Sequence, residues 1–136
     1  MSKLQPYVFF NGNCAEAMRA YEKILGGKLN LITVGDSPEA GEFGPGSEKK
    51  ILHSSLDLGD GDSLLASDWM GPSPYEGKHG VSLSLTYPTK AEAERVFNAL
   101  GDGGRVTMPL GKTFWSEAFG MLVDRFGVSW MVGIEH

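Results

Sequence analysis

Two stretches of the chain show apolar residues returning every three or four positions, the spacing of one buried stripe on a helix. The first contains Ala17, Tyr21, Ile24 and Leu25, the second Ala93, Val96, Phe97 and Leu100. A polar residue opens each stretch with a glutamate three positions on, Asn13 with Glu16 and Thr89 with Glu92, the capping-box spacing that lets side chain and backbone satisfy each other. Gly26-Gly27 and Gly101 predict the helix ends. A strand is predicted ahead of each helix, Tyr7 to Phe10 and Val81 to Tyr87, and three more after it. These are Lys28 to Val34, Lys50 to Leu58 and Ser63 to Ser67 in the first half, and Arg105 to Leu110, Phe119 to Val123 and Ser129 to Ile134 in the second. Gly59-Asp60-Gly61-Asp62 reads as a hairpin turn two residues longer than the tightest kind, and Asp124-Arg125-Phe126-Gly127 as another turn.

The two halves repeat. Asn13 to Tyr21 lies over Thr89 to Phe97 without a gap at an offset of 76 residues, with Ala, Glu, Ala and Arg identical at Ala15, Glu16, Ala17 and Arg19. The chain is therefore read as one α+β domain over 1–136, with βαβββ module one at 1–69, a Pro- and Gly-rich linker at 70–80 and βαβββ module two at 81–136. Gly35 to Glu48, rich in Gly, Pro, Ser and Glu, is expected to be a mobile loop. Each predicted sheet has a helix for one face only, so something else must cover or line the other.

Composition removes several classes of function. Hydrophobic residues make up 41% and charged residues 21%, with no apolar run near the length that spans a bilayer, so no membrane insertion is expected. The opening residues carry no signal-peptide pattern, and a cytoplasmic location is expected. Cys14 is the single cysteine, which rules out an internal disulfide. A net charge of −5 with interspersed signs offers no basic stripe for nucleic acid.

Pro6-Tyr7-Val8-Phe9-Phe10-Asn11-Gly12-Asn13-Cys14-Ala15-Glu16-Ala17, Leu65-Ala66-Ser67-Asp68, Thr113-Phe114-Trp115 and Asp124 to Trp130 together resemble the PhnB-like branch of the glyoxalase/bleomycin-resistance (vicinal oxygen chelate) superfamily. The resemblance covers nearly the whole chain. It implies the glyoxalase/bleomycin resistance protein/dihydroxybiphenyl dioxygenase-like fold, sheets curved around a cleft, and a homodimer. Some relatives are labelled demethylubiquinone methyltransferases, but a methyl donor usually needs a Gly-rich strand-to-helix turn on a nucleotide-binding sheet, and Gly41-Glu42-Phe43-Gly44-Pro45-Gly46 reads instead as a flexible lid. Metal-using members place His, Gln or Glu on the first and fourth strands of the halves. The corresponding positions here read Pro6, Ser82 and Met131, so no metal cofactor is expected. A shift to Gln5 would, on this reading, turn its side chain to the opposite face.

In the segment Ile51 to Leu58, the leucines mark the helix-side face and aim His53 and Ser55 the other way. His53 is read either as an acid-base residue or as a core histidine held by a hydroxyl. Asp68 at the fourth strand's end could orient His53 or accept a substrate hydroxyl, its plainer reading being a strand-end turn residue. Trp115 and Glu117 could supply an aromatic wall and a proton acceptor, or a dimer contact. Phe10, Ser82, Ser84, Thr86 and Met131 alternate toward the expected cleft, while Cys14 is read as a small buried filler despite its place at a helix start. The leading expectation is a metal-independent module binding a small molecule. The alternative is an enzyme of lyase, isomerase or dioxygenase type, using a divalent metal or His53 with a carboxylate.

Overall fold

The computed structural model describes residues 2–38, 41, 44 and 46–135. The expected lid at Gly41 to Gly46 and mobile loop at Gly35 to Glu48 lie partly outside the described residues, as does His136. Elements follow in the order β1 (Tyr7–Phe10), α1 (Cys14–Leu25), β2 (Lys28–Thr33), β3 (Ile51–Gly59), β4 (Asp62–Asp68), β5 (Leu83–Tyr87), α2 (Lys90–Gly101), β6 (Arg105–Gly111), β7 (Phe119–Val123) and β8 (Ser129–Ile134). The chain divides into two compact units, Met1–Gly77 and Lys78–His136. Each holds one helix and one four-stranded sheet, with strand orders β1-β4-β3-β2 and β5-β8-β7-β6. In both, the first strand pairs in parallel with the fourth and the remaining pairs are antiparallel. The expected α+β architecture of two βαβββ units is the one observed.

Each core lies between the helix and one sheet face. In the first unit Cys14, Ala17, Met18 and Tyr21 of α1 are buried together with Phe10, Leu56, Leu64 and Ala66. In the second, Ala93, Val96, Phe97 and Leu100 of α2 are buried with Leu122, Trp130 and Val132. Gly120 admits Phe97 at this interface, since a Cβ there would lie 2.7 Å from the Phe97 ring.

The two helices start differently. Thr89 is extended (φ −127°, ψ 151°), so its hydroxyl reaches back to accept the Glu92 N–H at 3.3 Å. Asn13 has φ −115° and ψ 24° and makes no side-chain cap, so the first expected capping box does not form. The carboxylate of Asp68 takes that place from across the sheet. One oxygen accepts the Cys14 N–H at 2.9 Å and the other the Ile51 N–H at 2.8 Å, with Asp68 itself only 2% exposed. This negative group at the first turn of α1 also complements the helix dipole.

Two turns and one register depart from or sharpen the sequence reading. Gly59 pairs with Asp62, and Asp60 (φ 53°) and Gly61 (φ 85°) alone form the connection, the tight two-residue turn with both central residues left-handed. The expected longer hairpin is thus corrected: the glycine and aspartate that suggested a wide loop supply the φ values the tight one needs. At Asp124–Gly127 the Asp124 carboxylate closes the turn, accepting the Phe126 and Val128 N–H groups at 2.9 Å and the Trp130 indole N–H at 2.8 Å. Three residues separate β1 from α1 but only two separate β5 from α2, so the 76-residue offset that aligns the helices is one residue short for the strands.

The buried latch yields two expected outcomes. Asp68→Ala leaves two buried N–H groups without an acceptor and is expected to cost about 3 kcal/mol in urea unfolding. Burial pushes the fully buried Cys14 thiol up to about 11, the Ser54 hydroxyl opposing and the Asp68 charge adding to that effect. Because the unfolded thiol ionises nearer pH 9, this stabilisation is complete below pH 9 and is lost as pH rises through about 11. Cys14→Ala should flatten the stability profile in that window, and the native thiol should resist modification at neutral pH.

Candidate functional site

Strand alternation decides which side chains the helix leaves uncovered. In the first unit Val8 and Ala66 are register partners, as are Ser54 and Ala66, and the Cys14 sulfur lies 3.6 Å from the Ser54 hydroxyl. That places Val8, Ser54, Ala66 and, two residues on, Phe10 on the helix side. Phe10 is 1% exposed, so its expected orientation toward a ligand is corrected: it is core. Tyr7 and Phe9 take the open face instead, at 40% and 41% exposure. The cause is the extra residue before α1, which inverts facing relative to a gapless alignment of the halves.

His53 and Ser55 stand on this open face, as the leucine alternation implied, and both are half-buried. His53 Nδ1 lies 3.1 Å from the Tyr7 hydroxyl, and no partner for Nε2 occurs among the described residues. Tyr7 abuts Phe9 at 5.1 Å between ring centroids, and Phe9 meets Trp69 edge-on at 5.3 Å. Trp69 is fixed by its indole N–H donating to the Ser73 carbonyl at 2.8 Å and by its ring folding over Gly71. The expected partnership of His53 with Asp68 is corrected. Asp68 is buried on the helix side with both oxygens committed to backbone N–H groups, and Tyr7 is the neighbour that His53 has.

On the second sheet, Leu83 and Leu85 partner the buried Trp130 and Val132, leaving Ser84 and Thr86 on the open face. Val81, expected on the helix face, precedes β5 and is 71% exposed. Ser82 is likewise exposed and outside the strand. Register runs across the open face in two rows, Ser84–Met131–Met121–Met108 and Thr86–Gly133–Phe119. Gly133 has no side chain between Thr86 and Phe119, and the gap opens a concavity of about 360 Å³. Thr86, Ser84, Phe119, Gly133, Trp115 and Glu135 line it. Trp115 is held edge-on to Phe119 at 5.4 Å, above a loop closed by the Thr113 hydroxyl accepting the Ser116 N–H at 3.0 Å.

Of the residues expected in a site, the structure thus gathers Ser84 and Trp115 around one concavity and His53 and Ser55 on a separate sheet. Glu117 is exposed and does not line the concavity. Glu135, Phe119 and Gly133 were missed. An interior strand glycine was the available signal for Gly133, since it marks either close approach or an unfilled space.

Of the positions that hold the ligands in metal-using relatives, one carries a glutamine on the open face and two carry residues that suit a divalent ion poorly. Pro6 shares the helix-side parity of Val8, so the residue on open-face parity ahead of β1 is Gln5, reversing the facing expected for it. Ser82 brings a neutral hydroxyl and Met131 a soft thioether, and among the described residues no three His, Cys, Asp or Glu side chains come together. No helix among those residues is long and apolar enough to cross a membrane.

Known proteins place these features in a family. Residues 2–133 match the family described as 3-demethylubiquinone-9 3-methyltransferase. The chain is 31% identical to protein YjdN of Escherichia coli (strain K12) over 96% of its own length and 94% of YjdN. The crystal structure of protein PA1353 from Pseudomonas aeruginosa is 50% identical with a TM-score of 0.92, covering 99% of this chain and 98% of that one. A putative 3-demethylubiquinone-9 3-methyltransferase, PhnB protein, from Bacillus cereus is 28% identical with a TM-score of 0.78, covering 98% and 100%. A glyoxylase/bleomycin resistance protein/dioxygenase domain from Frankia sp. EAN1pec shares the fold at 15% identity and a TM-score of 0.67, covering 100% and 99%. Its duplicated βαβββ architecture and its match along nearly the full sequence make this chain a PhnB-like member of the 3-demethylubiquinone-9 3-methyltransferase family, with the fold of glyoxylase/bleomycin resistance protein/dioxygenase domains.

Proposed function

We propose that this protein is a metal-independent small-molecule-binding module of the PhnB-like branch, working in the cytoplasm as a homodimer. The observation that carries the binding reading is the concavity on the second sheet, where a missing side chain at Gly133 leaves space between a hydroxyl, Thr86, and two aromatic rings, Phe119 and Trp115. Small-molecule sites combine apolar walls with a few oriented polar groups in this way, and its volume lies within the usual range. Three methionines in the adjoining row add an adaptable apolar surface. The resemblance to its superfamily supports the dimer.

A second reading rests on His53. Its Nδ1 engages the Tyr7 hydroxyl, which fixes the ring and leaves Nε2 for proton transfer to or from a bound substrate. That reading predicts turnover lost in His53→Gln with ligand binding at the second sheet intact.

Chelator-treated protein should show a melting-temperature rise of several degrees with at least one small polar aromatic compound, because a ligand at about a hundredfold over its dissociation constant adds roughly 2.7 kcal/mol. Gly133→Ala should reduce the rise by filling the gap without unfolding the sheet, since a Cβ there meets its neighbours only at 3.4 and 3.5 Å. Trp115→Ala should weaken the same compound about tenfold. A rise that appears only after adding nickel, zinc, manganese or iron would overturn metal independence.

A further inference from the structure

We propose that the concavity on the second sheet selects an organic ammonium ion, one with a protonated amine on an apolar or aromatic body; this rests on the binding reading above. Three features of the site point the same way. Trp115 and Phe119 line it with π-systems held 5.4 Å apart, and indole is the ring that attracts cations most strongly. Glu135 is the single charged side chain among the described residues that line it, and it is a carboxylate. Its backbone N–H donates to the Tyr87 carbonyl at 2.8 Å, which ties the chain beside the concavity to the end of β5. The hydroxyls of Ser84 and Thr86 can accept N–H bonds, so an ammonium finds acceptors as well as rings, while the Ser116 hydroxyl that also lines the space donates to the Ala118 carbonyl. Long-range electrostatics agree, because a net charge of −5 raises the local concentration of cations at the surface and repels anions.

Neither the carboxylate nor the aromatic ring alone would select strongly. An exposed carboxylate contributes little, and a ring at a half-open site contributes modestly, but together they give a preference of about tenfold over a neutral ligand of the same shape. The space accommodates a single ring with a short chain.

The test compares phenethylammonium with phenethyl alcohol, which differs in charge but hardly in shape, by isothermal titration calorimetry on the full chain at neutral pH and low salt. The cation is expected to bind about tenfold more tightly, with the preference shrinking as salt rises. Glu135→Gln is expected to remove most of the preference by weakening the cation toward the affinity of the alcohol, and its melting temperature should match the native protein because the side chain is exposed. Equal binding of the two, sensitive to Trp115→Ala, would overturn cation selection and leave the binding reading standing. A preference retained in Glu135→Gln would overturn the assignment to this carboxylate. Absence of binding by both compounds at millimolar concentration would overturn the inference, whereas the compound screen with Gly133→Ala decides the binding reading separately.

Discussion

One helix can bury only one face of a four-stranded sheet, and each unit of this protein has one helix. The buried side of each sheet is a conventional core, while the other side carries aromatic, thioether and hydroxyl groups with exposures near 40% at Tyr7, Phe9, Met108 and Trp115. Such surface has a desolvation gain still to be realised, which is the physical basis for expecting ligand or partner binding there. Both open faces therefore follow from the architecture itself, and their chemistry follows from which residues alternation sends to them.

Two buried carboxylates fix that architecture at its irregular points. Asp68 joins the starts of α1 and β3 to the end of β4, and Asp124 shapes the turn ahead of β8 while anchoring Trp130. Each is nearly inaccessible, yet its oxygens are met by N–H donors, the condition under which burying a carboxyl group is tolerable. Neither is spare for catalysis. His53, Tyr7, Ser84 and Thr86 stand on the open faces, and Glu135 lines the concavity of the second.

The binding and acid-base readings use different sheets. His53 with Tyr7 belongs to the first unit, and Trp115, Phe119 and Glu135 to the second. The single cysteine is held as a neutral buried thiol beside Ser54, which removes the obvious nucleophile from either reading.

Residue periodicity by itself determined the duplicated βαβββ pattern, both helices almost to the residue, and the helix-side facing of Leu56 and the opposite facing of His53, because each depends on spacing within a single element. It also located the glycine and aspartate of both turns, though not the tightness of the first, which φ values at Asp60 and Gly61 decided. Facing on β1 depended on one extra residue in the loop before α1, an irregularity that a gapless repeat conceals, and so Phe10 and Pro6 were turned the wrong way. Only tertiary structure decided that Asp68 rather than Asn13 caps α1, since Asp68 and the Cys14 N–H it accepts are 54 residues apart. Likewise the concavity required strands β5, β8 and β7 to set Thr86, Gly133 and Phe119 side by side, a row that depends on pairing between segments far apart in sequence.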